Sequence, residues 1–121
     1  LIQYQWRPVA EPEVISKVHK YFFYNNITGP VLTTDPTFIA FSDVKAYPFY
    51  GNIETATDSY KYFRPNAEYI FYTTDFYPCY TKAQCLKREN LFQQIKAENQ
   101  LIFNRENIYI FRNTNYKKTS P

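Results

Sequence analysis

The sequence predicts an α+β domain in which an N-terminal helix and a second, weaker helical segment pack on an antiparallel sheet of about four to five strands. Three observations carry that prediction. A stripe of apolar residues at helical spacing lies near the start, short segments rich in aromatic and β-branched residues follow it, and proline or asparagine bounds them. At 121 residues the chain suits one domain, residues 1–121, because a chain of this size buries roughly two thirds of its unfolded surface around a single core. No internal repeat, low-complexity tract or Gly/Ser linker divides it.

The first element is "EPEVISKVHKYFFYN", residues 11–25. Pro12 suits a first helical turn, Glu11 and Glu13 favour the positive end of the helix, and Val14, Ile15, Val18 and Phe22 recur on one face. The helix should stop near Asn25 and Asn26, ahead of Gly29 and Pro30. Strands follow at Thr37–Phe41 and Glu68–Thr74. The second is apolar or aromatic on both faces and reads as a central strand. Leu101–Phe103 and Ile108–Phe111 form a hairpin around Asn104–Asn107, with Ile108 and Ile110 on one face and Tyr109 and Phe111 on the other. Between Cys85 and Glu98 the residues favour a helix, and Cys85, Phe92 and Ile95 share a thin apolar side. The segment 42–66 reads as a long loop with one short strand near Asn52–Thr57, and loops of that kind often carry function.

The two cysteines stand in "FYPCYTKAQC" with five residues between them. A structural zinc site wants four Cys or His ligands, and the chain offers Cys79, Cys85 and His19 alone. The spacing is not that of a CxxC redox pair. One continuous helix would set the thiols roughly 9 Å apart along its axis, too far to bond, but Pro78 argues against helix there. A turn leaving the Glu68–Thr74 strand lets Cys79 and Cys85 join, and closing the loop contributes about 2.4 kcal/mol in the chain-entropy account. Such a staple places the domain in an oxidising, extracytoplasmic compartment. The tripeptide "NIT" at Asn26 is a glycosylation acceptor in a eukaryotic secreted protein.

The composition excludes several classes. With 2 Gly, neither a P-loop nor a dinucleotide fingerprint can be written. His19 lies at the edge of the helix face with no motif placing a nucleophile beside it. Asp35, Asp43, Glu54, Asp58, Glu68 and Asp75 are the carboxylates from which an acid and base pair would have to be drawn, and no local pattern pairs them. No catalysis, cofactor or metal is therefore expected. No apolar run approaches the roughly 18 residues of a membrane span.

Aromatic residues are in excess, with 13 Tyr and 11 Phe among 121 residues, more than a core of this size needs. Some tyrosines should therefore reach the surface with wetted hydroxyls and offer rigid contact area to a protein or to an amphiphilic small molecule. Tyr47, Phe49, Tyr50, Tyr60 and Tyr62 are the predicted ligand- or partner-binding residues. Net charge is +3, yet residues 61–121 hold ten basic side chains against five acidic ones. The alternative function is thus a nucleic-acid module in which Lys82, Lys87, Arg88, Arg105 and Arg112 grip phosphates while rings stack bases; nucleic acid is the less favoured partner because the charge is modest and no family motif is present.

The opening "LIQYQWRP" groups Tyr4, Trp6 and Arg7, types that favour a membrane interface. The absence of Met leads to the expectation of a processed or excised piece, with either a signal peptide or a tethering membrane helix before Leu1. With this start, the size and the paired cysteines, the chain resembles in outline the small periplasmic domains of single-pass bacterial regulators, such as those of the ToxR-like and CadC-like families. That likeness is architectural, implies a sensing or interaction role, and carries no functional residues across.

Overall fold

The computed structural model describes residues 20–21, 25, 27–34 and 44–117. Within them two helices pack on one face of a five-stranded sheet, an α+β arrangement. The strands are β1 (Val31–Thr33), β2 (Ala46–Pro48), β3 (Tyr69–Thr73), β4 (Gln100–Arg105) and β5 (Ile108–Arg112), and the helices are α1 (Ile53–Phe63) and α2 (Lys82–Glu98). The order across the sheet is β2-β1-β3-β5-β4. Only part of it is antiparallel: β5 runs against β3 and β4, whereas β1 runs parallel to both β2 and β3. The expected all-antiparallel sheet is therefore corrected to a mixed one.

The reason is α1. Parallel neighbours need a crossover connection instead of a hairpin, and α1 lies in the connection from β2 to β3. The short strand expected near Asn52–Thr57 is instead the first half of this helix, and the segment from Val44 to Asn66 is structured and not a long loop. The local chemistry is that of a helix start. The Asn52 side chain accepts from the Glu54 N–H at 2.9 Å, and the Thr55 hydroxyl returns a bond from the Asn52 N–H at 3.1 Å. Gly51 holds a φ of 75° and leaves the space where a Cβ would meet the Thr55 hydroxyl, so a side chain there is excluded both by conformation and by room. Ile53, Ala56 and Tyr60 then fall on the buried face, and a 3-10 turn at Arg64–Asn66, with Pro65 inside it, ends the helix.

Alternation across the pleat divides the core in two. Leu32, Ile70, Tyr72 and Phe111 face the helices and meet Phe49, Tyr60, Tyr77, Leu91 and Ile95, while Val31, Phe71, Ile108 and Ile110 face the other way with Ile27 and Val44. The predicted division of the Ile108–Phe111 strand between two faces holds. So does the central place of β3, which is paired on both edges and buried on both faces. On β4, Ile102 and Phe103 pack on the same side because the register slips between Leu101 and Phe103, as in a β-bulge.

The hairpin turn is tighter than the expected Asn104–Asn107 loop. Arg105 pairs directly with Ile108, leaving Glu106 and Asn107 as the turn, with Glu106 at a φ of 54°. The Asn104 side chain compensates by donating to the carbonyls of Glu106 and Ile108. The second helix exists, but its anchors are Leu91 and Ile95, with Phe92 half-buried and Cys85 on the surface. Of the predicted N-terminal helix, only its end at Lys20–Tyr21 is described, and it is helical there. Tyr21 packs on the sheet face opposite α1 and α2 and donates to the Ile102 carbonyl. The strand expected at Thr37–Phe41, His19, Asn26, Asp35, Asp43 and the Trp6 region lie outside the described residues.

Candidate functional site

The disulfide is present: Cys79 Sγ and Cys85 Sγ are bonded, with Cα atoms 5.0 Å apart. Cys79 lies in the turn leaving β3 and Cys85 in the first turn of α2. The loop is further secured by Thr81, whose hydroxyl accepts from the Gln84 N–H, and by Arg88, which donates to the Tyr77 carbonyl. It leaves Tyr80 84% exposed. A disulfide is compatible with an extracellular location, and among the described residues no helix is long and apolar enough to cross a membrane.

The five predicted binding residues separate into two groups. Phe49 and Tyr60 are core residues, 4% and 1% exposed, and form no part of an aromatic surface patch. Tyr47 is half-buried, while Tyr50 and Tyr62 are 44% and 70% exposed. These three converge on one ring that the sequence reading missed, Phe63. Tyr47 stacks on Phe63 at 5.2 Å between ring centres, Tyr62 meets it edge-on at 4.9 Å, and Tyr50 does so at 6.1 Å. The result is a contiguous aromatic ridge between β2 and α1. Helical periodicity through Ile53, Ala56, Tyr60 and Phe63 was the signal for it, hidden by the β-branched Thr55 and Thr57.

The ridge is held at both ends. The Tyr50 carbonyl accepts from the Tyr77 hydroxyl at 3.1 Å, and Gly51 and Asn52 begin α1 immediately after it. Beyond Tyr62 and Phe63, Arg64 donates from Nε to Asn99 Oδ1 at 3.1 Å and from its terminal nitrogen to the Glu98 carbonyl at 2.7 Å. The buried Asn113 side chain donates to the Arg64 carbonyl at 2.9 Å. Tyr60, one turn inside, donates to Glu98 Oε1 at 2.7 Å and accepts from Asn99. Its burial, and then that hydrogen bond to Glu98, push its phenol well above the usual tyrosine range.

Beside the ridge runs the edge of the sheet. Lys45 O and Phe49 N, on either side of β2, bond to β1, so alternation turns Pro48, which has no N–H, away from it. An edge proline of this kind resists further strand pairing. The approach to this flank is therefore by side chains.

Two clefts among the described residues are small. One of about 210 Å³ lies between the C-terminal ends of the helices, lined by Tyr60, Lys61, Arg64, Pro65, Gln94 and Glu98. Another of about 130 Å³ is lined by Glu68, Arg112, Asn113, Thr114 and Tyr116. Both fall below the roughly 300 Å³ at which small-molecule sites begin. Among the described residues no three His, Cys, Asp or Glu side chains are grouped as metal ligands. Glu54 pairs with Lys87, and Asp75 accepts from the Asn107 side chain.

The cations of the alternative reading do not share one strip. Lys82, Lys87 and Arg88 sit in the first half of α2, beside the end of β3, and Arg105 adjoins the hairpin turn at that same end. Arg112 pairs with Tyr69 at the start of β3, the opposite end of the sheet. Comparison with known proteins finds no match: no family model, no curated protein and no solved structure is similar to this chain.

Proposed function

We propose that this is a non-catalytic interaction domain of an extracytoplasmic protein, which binds a partner protein through the ridge of Tyr47, Tyr50, Tyr62 and Phe63. The observation that carries the reading is the contiguity of exposed rings on a rigid base. Tyr62 is 70% exposed and touches Phe63, which in turn touches Tyr47 and Tyr50. Tyr80, 84% exposed, has no such ring contact among the described residues, and Leu86 and Leu101 carry no ring. Rigid aromatic side chains lose little entropy on docking and dominate interface energetics. The open shape of the ridge suits a protein surface better than an enclosed small ligand. The Cys79–Cys85 bond supports the extracytoplasmic placement, and a sensing role in a membrane-tethered regulator belongs to the same proposal.

The test places a photo-crosslinking amino acid at position 62, and for comparison at position 101 on the far sheet edge, in the protein in its own cells. The expected result is one discrete protein adduct from position 62 and none from 101. Equal labelling from both positions, or none from either, overturns the proposal.

A further inference from the structure

The ridge is more than apolar. Its ring planes stand at near right angles: Tyr50 at 90° and Tyr62 at 79° to Phe63, with Tyr47 at 21° to it. Two rings in a T leave an open corner bounded by the face of each, and ring faces carry the negative end of the aromatic quadrupole. A cation set in such a corner is attracted by both rings.

Two further observations point the same way. Lys45 Nζ already lies 5.3 Å from the centre of the Tyr47 ring, so one end of the ridge holds a cation of its own chain. Asp58, exposed and without an ion pair or hydrogen bond among the described residues, lies four residues before Tyr62 and so on the same helix face. It supplies negative charge one helical turn before Tyr62, whereas Glu54, a turn earlier still, is already engaged by Lys87.

From this geometry we infer that the ridge receives a basic side chain, the arginine or lysine of a cationic segment on the partner protein, seated between Tyr62 and Phe63 with Asp58 as its counter-charge. The inference rests on the ridge being an interface and adds the chemistry of what enters it. Arginine suits the position better than lysine, because its planar guanidinium stacks on a ring while still donating to a carboxylate.

The experiment titrates the whole chain with two peptides, acetyl-Gly-Arg-Gly-amide and its neutral citrulline counterpart, and follows the ring protons of Tyr50, Tyr62 and Phe63 by NMR. The arginine peptide is expected to bind about two- to fivefold more tightly than the citrulline peptide. D58N and Y62L should each reduce that ratio towards one. Equal affinity for the two peptides overturns the inference while leaving the ridge as an interface. Rings that respond to neither peptide also overturn it, and the crosslink from position 62 then decides the ridge separately.

Discussion

Phe49 and Tyr50 are neighbours in sequence, as are Tyr60 and Tyr62 across one residue, yet the members of each pair have opposite fates. Phe49 and Tyr60 join Tyr72 and Tyr77 in the core beneath the helices, stacked or edge-on to one another at 5.4 to 6.5 Å between centres. Tyr50 and Tyr62 stand outside on the ridge. Residue type does not separate the groups. Backbone periodicity does: β2 turns Tyr47 and then Phe49 towards the helices, Gly51 reverses the chain, and α1 points Tyr60 inward and Tyr62 outward. Tyrosine thus performs two tasks here, filling volume where a larger Leu or Met content would otherwise do so, and presenting rigid contact area.

The sharpest break of this comparison is Phe49→Ala against Tyr50→Ala. Removing the buried ring should cost about 3–5 kcal/mol of unfolding free energy, with a cavity among Tyr60, Tyr72 and Tyr77. The exposed neighbour should change stability by no more than about 0.5 kcal/mol. Urea midpoints of the two variants measure the contrast, and similar midpoints would erase the distinction drawn between core and ridge.

Next in size is the staple. Replacing both Cys79 and Cys85 by Ser should lower stability by about 2.4 kcal/mol in the chain-entropy account, with ring contacts on the ridge unchanged because no ridge residue lies in the loop. Loss of the ridge NMR pattern in this variant would show that the two regions are coupled.

The hydroxyls of the buried set give a smaller and opposite pair of effects. Tyr77 donates to the Tyr50 carbonyl, so Tyr77→Phe should cost about 0.5–1.5 kcal/mol. The Tyr72 hydroxyl is buried with no hydrogen-bond partner among the described residues, and Tyr72→Phe should therefore raise stability, by about 1 kcal/mol. A destabilised Tyr72→Phe variant would reveal a partner such as a buried water. The same hydroxyls set the alkaline limit. Burial holds the Tyr77 phenol up to about 12 and those of Tyr60 and Tyr72 higher still. A folded-state pKa above the unfolded value near 10 means a contribution that is complete below pH 10 and is lost as pH rises through 12. Tyrosinate absorbance followed with circular dichroism should show these phenols ionising only as the fold opens. In Tyr77→Phe the decline between pH 10 and 12 should be shallower.

The smallest change tests the start of α1. Asn52→Ala removes the side-chain acceptor for the Glu54 N–H and should cost about 1 kcal/mol, read as a lower thermal midpoint with the core rings still packed.

Much of the architecture was legible in residues that speak locally. The β3 strand, the β4–β5 hairpin, the inward and outward faces of Ile108–Phe111 and the Cys79–Cys85 bond all depend on short-range pattern or on two thiols with few alternatives. The largest error was also local in origin. Thr55 and Thr57 alternate as in a strand, and their β-branching outweighed the cap formed by Asn52 and Thr55 and the stop at Pro65. With α1 taken for a loop, and with no strand expected at Val31–Thr33 or Ala46–Pro48, three-residue segments too short to carry a pattern, the parallel half of the sheet could not be inferred. The same error hid Phe63, around which the candidate site is assembled.

Fold class, the covalent staple and an excess of aromatic rings over what a core can absorb are written in local pattern, because composition, period-two alternation and cysteine spacing act over a few residues. Which of the rings are spare is a matter of long-range packing. Burial of Phe49 and Tyr60, and the meeting of Tyr47 and Tyr50 with Tyr62 and Phe63, depend on how α1 lies across the sheet. That placement arises from contacts between segments far apart in the chain, such as Arg64 with Asn99 and Tyr60 with Glu98, which no local pattern encodes.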